Sequence, residues 1–104
     1  MNINGIEWTI EYVRPNDPVL MRDDGTYTLG MTDFYTRKIS INFLLPPYMR
    51  KKVIIHELTH AFMFSFDIYI DLDMEEWVCN FVAEYGEDII AKFYETFEEL
   101  KKYA

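Results

Sequence analysis

Residues 46–66 most constrain what this chain can fold into. Pro46-Pro47 can open a helix, because proline is tolerated in a first turn. Wound at about 100° per residue, the stretch that follows is apolar on nearly every side. Ile54, Leu58, Ala61 and Ser65 fall along one side, and Met49, Val53 and Met63 flank the opposite one. A helix apolar almost all round is a buried, central one. Inside it lies His56-Glu57-Leu58-Thr59-His60, which uses both histidines of the chain. Four residues make about one helical turn, so the two rings stack on one face and can hold one metal ion together. Glu57 projects about a quarter-turn away, within reach of the proton of a water on that ion without being forced to ligate.

The 104 residues predict a single domain, 1–104, with one core. Half the residues are apolar and 17% are aromatic, so the core needs no disulfide staple. Cys79 is the only cysteine, which fits a reducing, cytoplasmic setting. No secretory leader and no membrane-spanning run is recognisable. The net charge of −8 argues against sequence-independent nucleic-acid binding. The basic residues Arg37-Lys38 and Arg50-Lys51-Lys52 read as solvated ends of elements.

Residues 1–45 are expected to be mainly strands. Ile6 to Val13 reads as one strand, stopped by the prolines at 15 and 18. Val19 to Arg22 fits a helical turn or a short strand. Asp23-Asp24-Gly25 is a turn leading into a strand over 26–31, where Gly30 marks a bulge or a close approach. Lys38 to Leu45 alternates most clearly. After an Asp-punctuated connection, a second helix is expected over 73–103, with Asp73 as N-cap, Glu76 at the capping-box position, and a kink or tight contact at Gly86. The fold class is therefore α+β: a small antiparallel or mixed N-terminal sheet packed on two main helices, the first carrying the histidines.

A catalytic zinc takes three protein ligands and keeps one position open. With no third histidine, the start of the second helix offers Glu75 and Glu76. Glu75 shares the inward flank with Cys79 and Val82 and is preferred as ligand; Glu76 is the alternative, with Asn80 one turn later as a partner for a histidine. Cys79 reads as a small buried hydrophobe rather than a thiolate ligand. Tyr35, Tyr48, Tyr69 and Tyr85 are candidates to steady an oxyanion, and nothing in the sequence selects among them.

With His56-Glu57-Leu58-Thr59-His60 followed by Glu75-Glu76-Trp77-Val78-Cys79-Asn80-Phe81-Val82-Ala83, the chain resembles the gluzincin metallopeptidases. More narrowly, it is similar to the small ImmA/IrrE-like members found on phages and other mobile elements. The resemblance implies a minimal zincin-like fold, Zn²⁺ as cofactor, and a peptide or protein substrate of a regulatory kind. Aligning on Phe81-Val82-Ala83 places Glu75 at the family's third-ligand position. Aligning on the polar residue one turn after the ligand, as in thermolysin-type enzymes, selects Glu76 with Asn80. The implied activity is that of a zinc-dependent endopeptidase with Glu57 as general base and acid. If the segment 38–45 is an exposed sheet edge, an extended substrate can add to it as a strand. The chain departs from larger members by lacking a second lobe and a DNA-binding domain. The competing expectation is a zinc-stabilised phage or mobile-element module that binds a partner without cutting it.

Overall fold

Asn4 and Gly5 both take positive φ (50° and 84°), the conformation that a two-residue hairpin turn demands. They join β1 (Asn2–Ile3) to β2 (Ile6–Glu7), with Ile3 opposite Ile6. The structure, a computed structural model, describes residues 1–103. The single strand expected over residues 6–13 breaks at Trp8. That side chain is buried, and its indole N–H donates to Ser65 Oγ at 2.9 Å. Burying the indole and reaching a partner takes Trp8 out of the strand, and β3 (Thr9–Val13) starts after it.

β3 pairs in parallel with β5 (Lys38–Asn42), and β4 (Gly30–Asp33) pairs antiparallel with the other side of β5, giving the order β3-β5-β4. The strand expected over 26–31 is displaced toward the C-terminus. Asp24 binds the backbone N–H and hydroxyl of Thr26, and Tyr27 makes only an isolated bridge to Met21, so regular pairing begins at Gly30. β5 ends at Asn42, whose side-chain oxygen accepts the N–H of Leu44 and turns the chain out of the sheet.

The chain between the prolines and the first connection forms α1 (Pro47–Ser65). Ile3, Trp8, Ile39, Ile41, Leu45 and Ala61 form the core between sheet and helix. The helix stops in a Schellman arrangement: Asp67 takes φ 56°, and the N–H of Ile68 reaches the carbonyl of Met63 at 2.9 Å. α2 (Leu72–Leu100) follows, capped by Asp71, whose side chain accepts the N–H of Met74. Asp73 is therefore inside the first turn rather than at the cap, and Glu76 is released from any capping role. α2 runs unbroken through Gly86, where an added Cβ would meet only Val82 of the same helix, so no tight interhelical contact explains this glycine. α1 and α2 lie antiparallel, with Lys52 on Glu84 (2.7 Å) and Lys51 on Glu87 (3.0 Å) near one end. The α+β class holds, with the sheet on α1 and α2 along the same helix. No helix among the described residues is long and apolar enough to cross a membrane.

Candidate metal centre

At the other end of the helix pair, His56 and His60 meet the first turns of α2. His60 Nδ1 lies 2.7 Å from Glu75 Oε2, and His60 Nε2 lies 2.9 Å from Glu76 Oε1. His56 Nε2 lies 3.2 Å from Glu76 Oε2. The two Nε2 atoms thus converge on one carboxylate. A proton on Nδ1 of His60, donated to Glu75, leaves Nε2 as its free donor atom. Ligand atoms around a tetrahedral zinc stand about 3.3 Å apart, given bonds of about 2.0–2.1 Å. The observed 2.9 and 3.2 Å, one to each oxygen of the Glu76 carboxylate, are hydrogen-bond distances close to that spacing, and two imidazoles plus a carboxylate are a donor set that zinc accepts.

In this arrangement Glu75, the preferred ligand, meets the back nitrogen of His60, and Glu76, the alternative, meets the Nε2 atoms of both histidines. Glu75 does point inward: its side chain is 18% exposed against 46% for Glu76. Inward, however, leads to the back nitrogen of His60. The front nitrogens face sideways, where Glu76 stands. Asn80 lines the same cleft and makes no hydrogen bond to either ring among the described residues.

Glu57 is buried beside the histidines, its Oε2 3.8 Å from His56 Nε2. The hydroxyl of Thr32 on β4 holds the other oxygen, Oε1, at 2.9 Å, and lies 3.0 Å from the carbonyl of Glu57. Burial pushes the Glu57 carboxyl above the usual range. The Thr32 hydrogen bond and the two histidines pull it back, while Glu76 pushes the same way as burial. β4 comes this close because Gly30 has no side chain: a Cβ there would lie 2.7 Å from Val53 Cγ1 and 3.0 Å from Glu57 Cγ. The close approach expected at Gly30 is what the chain uses.

Cys79 is fully buried, and its sulfur and the nearest ring nitrogens of His56 and His60 lie within 4.8 Å of one another. Burial, then the charges of Glu76, Glu75 and Glu57, push its thiol up to about 12, so in the metal-free chain it stays protonated.

The cleft over these groups has a volume of about 610 Å³, with β4 as one wall and Arg22 as the only cation among its lining residues. β5 is paired on both sides, so the strand part of the segment 38–45, residues 38–42, has no free edge for a substrate strand. The outer edge of β4 is open beside the cleft. Tyr35, Tyr48, Tyr69 and Tyr85 are all exposed, and none lines it. Thr32 and Arg22 carried no signal in the sequence, because only the register of β4 against α1 and the turn before it brings them here. The chain matches no protein-family model and no curated protein, so its functional reading rests on this geometry.

Proposed function

We propose that the chain is a zinc-dependent metallo-endopeptidase in which His56, His60 and Glu76 hold the ion, Glu75 orients His60, and Glu57 is the general base. One observation carries this reading: two Nε2 atoms and one carboxylate converge beside a buried glutamate at the floor of an open cleft. A bound zinc would supply Lewis acidity, making water nucleophilic near neutral pH. Glu57 accepts the proton of the attacking water at Oε2, the oxygen that Thr32 leaves free, and passes it to the departing amine. An extended peptide adds as a strand to the free edge of β4, which sets its backbone alongside Glu57. Arg22 faces the same space and can donate hydrogen bonds to a carbonyl or carboxylate of the substrate. The unpaired Cys79 suits a cytoplasmic setting.

The test is Glu57→Gln assayed on a peptide library with metal content measured in parallel. Zinc should stay bound while cleavage falls by about 10²–10⁴-fold. Full cleavage by the zinc-loaded variant would remove Glu57 from the reaction.

A second reading is favoured by the position of Cys79. If its thiolate joined the two histidines and Glu76, four protein ligands would close the site and leave a zinc-stabilised binding module without turnover. Cys79→Ala separates the two. The hydrolase keeps its zinc affinity in that variant, whereas the closed module loses it.

A further inference from the structure

We propose that the distal half of α2 is a self-association surface through which two copies of this chain pair antiparallel. The face of α2 that packs on α1 does not end where α1 ends. At about 100° per residue, Gly86, Ile90, Phe93, Phe97 and Leu100 all stay within about 60° of the direction of buried Cys79. α1 begins at Pro47, beside Ala83, Glu84, Glu87 and Asp88, so beyond that point the stripe runs on uncovered. Ile90, Phe93, Phe97 and Leu100 are each about half exposed. The overhang makes the molecule 56 Å long and raises its radius of gyration to 16.0 Å, against about 13 Å for a compact chain of this length.

The exposed area suits a second copy. With Ile89 and Tyr94, these side chains leave roughly 600 Å² per copy open, taking about 200 Å² for a large side chain. That approaches the ~800 Å² that each partner contributes to a standard interface and lies at the upper end of the ~300–600 Å² of the largest apolar patch on an ordinary monomer. Charge then selects the direction. Glu84, Glu87, Asp88, Glu95, Glu98 and Glu99, with Lys92 as the one cation among them, precede Lys101 and Lys102, so a parallel pair would mostly set acid against acid. In an antiparallel pair with Phe93 of one copy on Phe97 of the other, Ile90 meets Leu100, and Lys101 falls beside Glu87 of the second copy. The helix dipoles also oppose favourably. Gly86 gains a purpose in this arrangement. It opens an apolar hollow of about 600 Å³ against Ile55, Val82, Ile89 and Tyr94, where the end of the second helix arrives. None of the residues in the stripe lines the metal cleft.

Sedimentation velocity over a concentration series tests the proposal on the full chain. The expected result is a dimer that dissociates in the low-micromolar range. Phe93→Glu with Phe97→Glu should sediment as a monomer with unchanged circular dichroism. In a Lys51→Ala background, which removes the partner that Glu87 has in its own chain, Lys101→Glu and Glu87→Lys should each weaken the dimer about fivefold, and the charge-swapped variant should recover the constant of that background. A monomer at every concentration overturns the proposal. So does a monomer that co-sediments with phosphatidylcholine–phosphatidylglycerol vesicles, which would give the face to a lipid surface. A dimer whose charge variants do not compensate overturns the antiparallel register.

Discussion

Glu57 is held from two directions, and each hold rests on one small residue of β4. Thr32 fixes one carboxylate oxygen, and the bare Cα of Gly30 lets the strand lie against the helix at the level of the Glu57 side chain. Gly30→Ala puts a methyl 2.7 Å from Val53 Cγ1 with little room to yield. We expect it to cost about 1–3 kcal/mol in chemical denaturation, the usual penalty of overpacking, and to lower turnover beyond the loss of folded protein. Glu75 and Glu76 divide the work on His60, one on each ring nitrogen. Competition with a zinc chelator should therefore rank the variants: Glu76→Gln loses the most affinity, while Glu75→Gln loses about 10–100-fold, as expected for a group that orients a ligand. If Glu75→Gln proved the worse of the two, the ligand assignment would be exchanged. The histidine pair was legible in the sequence because a four-residue spacing fixes a helical face. The choice between two adjacent glutamates was not, since it depends on which ring nitrogen each meets, and that is set by how α2 sits against α1.

At the scale of elements, the N-terminal hairpin and α1 are fastened to each other at Ser65. Trp8 donates its indole N–H to the hydroxyl, and Asn4 donates its side-chain amide to the carbonyl of the same residue at 2.9 Å. The hairpin thereby covers the last turn of the helix that carries the histidines. Ser65→Ala leaves a buried indole N–H unpaired, which should cost about 1–3 kcal/mol in urea unfolding. Trp8→Phe in the same background should recover part of the loss, because no donor then remains to be satisfied. Much of this layer was readable: the prolines and the apolar winding define α1, and the alternation about Ile39 and Ile41 defines β5. The break at Trp8 was not, because Trp8 has strand propensity and leaves the strand only for a partner 57 residues away. The Asn4-Gly5 turn did carry a local signal, and it predicts the first hairpin once given its weight. The cap of α2 moved from Asp73 to Asp71 because several aspartates crowd that connection, and only the course of the chain decides which one meets a free N–H.

Over the whole molecule, the net charge of −8 is concentrated around the cleft and along α2, and the carboxylates do not all respond to pH alike. Asp33, Asp24 and Glu7 hold hydrogen bonds that lower their pKa values. Each contributes stability above its unfolded pKa and loses it as pH falls through the lowered folded value. Glu57 works in the opposite sense. Burial raises its folded pKa above the unfolded one, so the folded chain binds that proton more tightly. The penalty of keeping Glu57 ionised is complete above the folded pKa, shrinks as pH falls through it, and is gone below the unfolded value. In the metal-free protein the two trends overlap, so the melting temperature of the wild type alone does not separate them. The difference between wild type and Glu57→Gln does, because the surface carboxylates are common to both. Glu57→Gln should melt higher at neutral pH, and the gap should close on acidification through the window between the two Glu57 pKa values. A gap that stayed constant across that range would mean that the fold does not raise the Glu57 pKa, leaving the buried carboxylate no stronger a base than an exposed one. Adding zinc should reduce the gap at neutral pH, since a divalent cation beside Glu57 favours its ionised form.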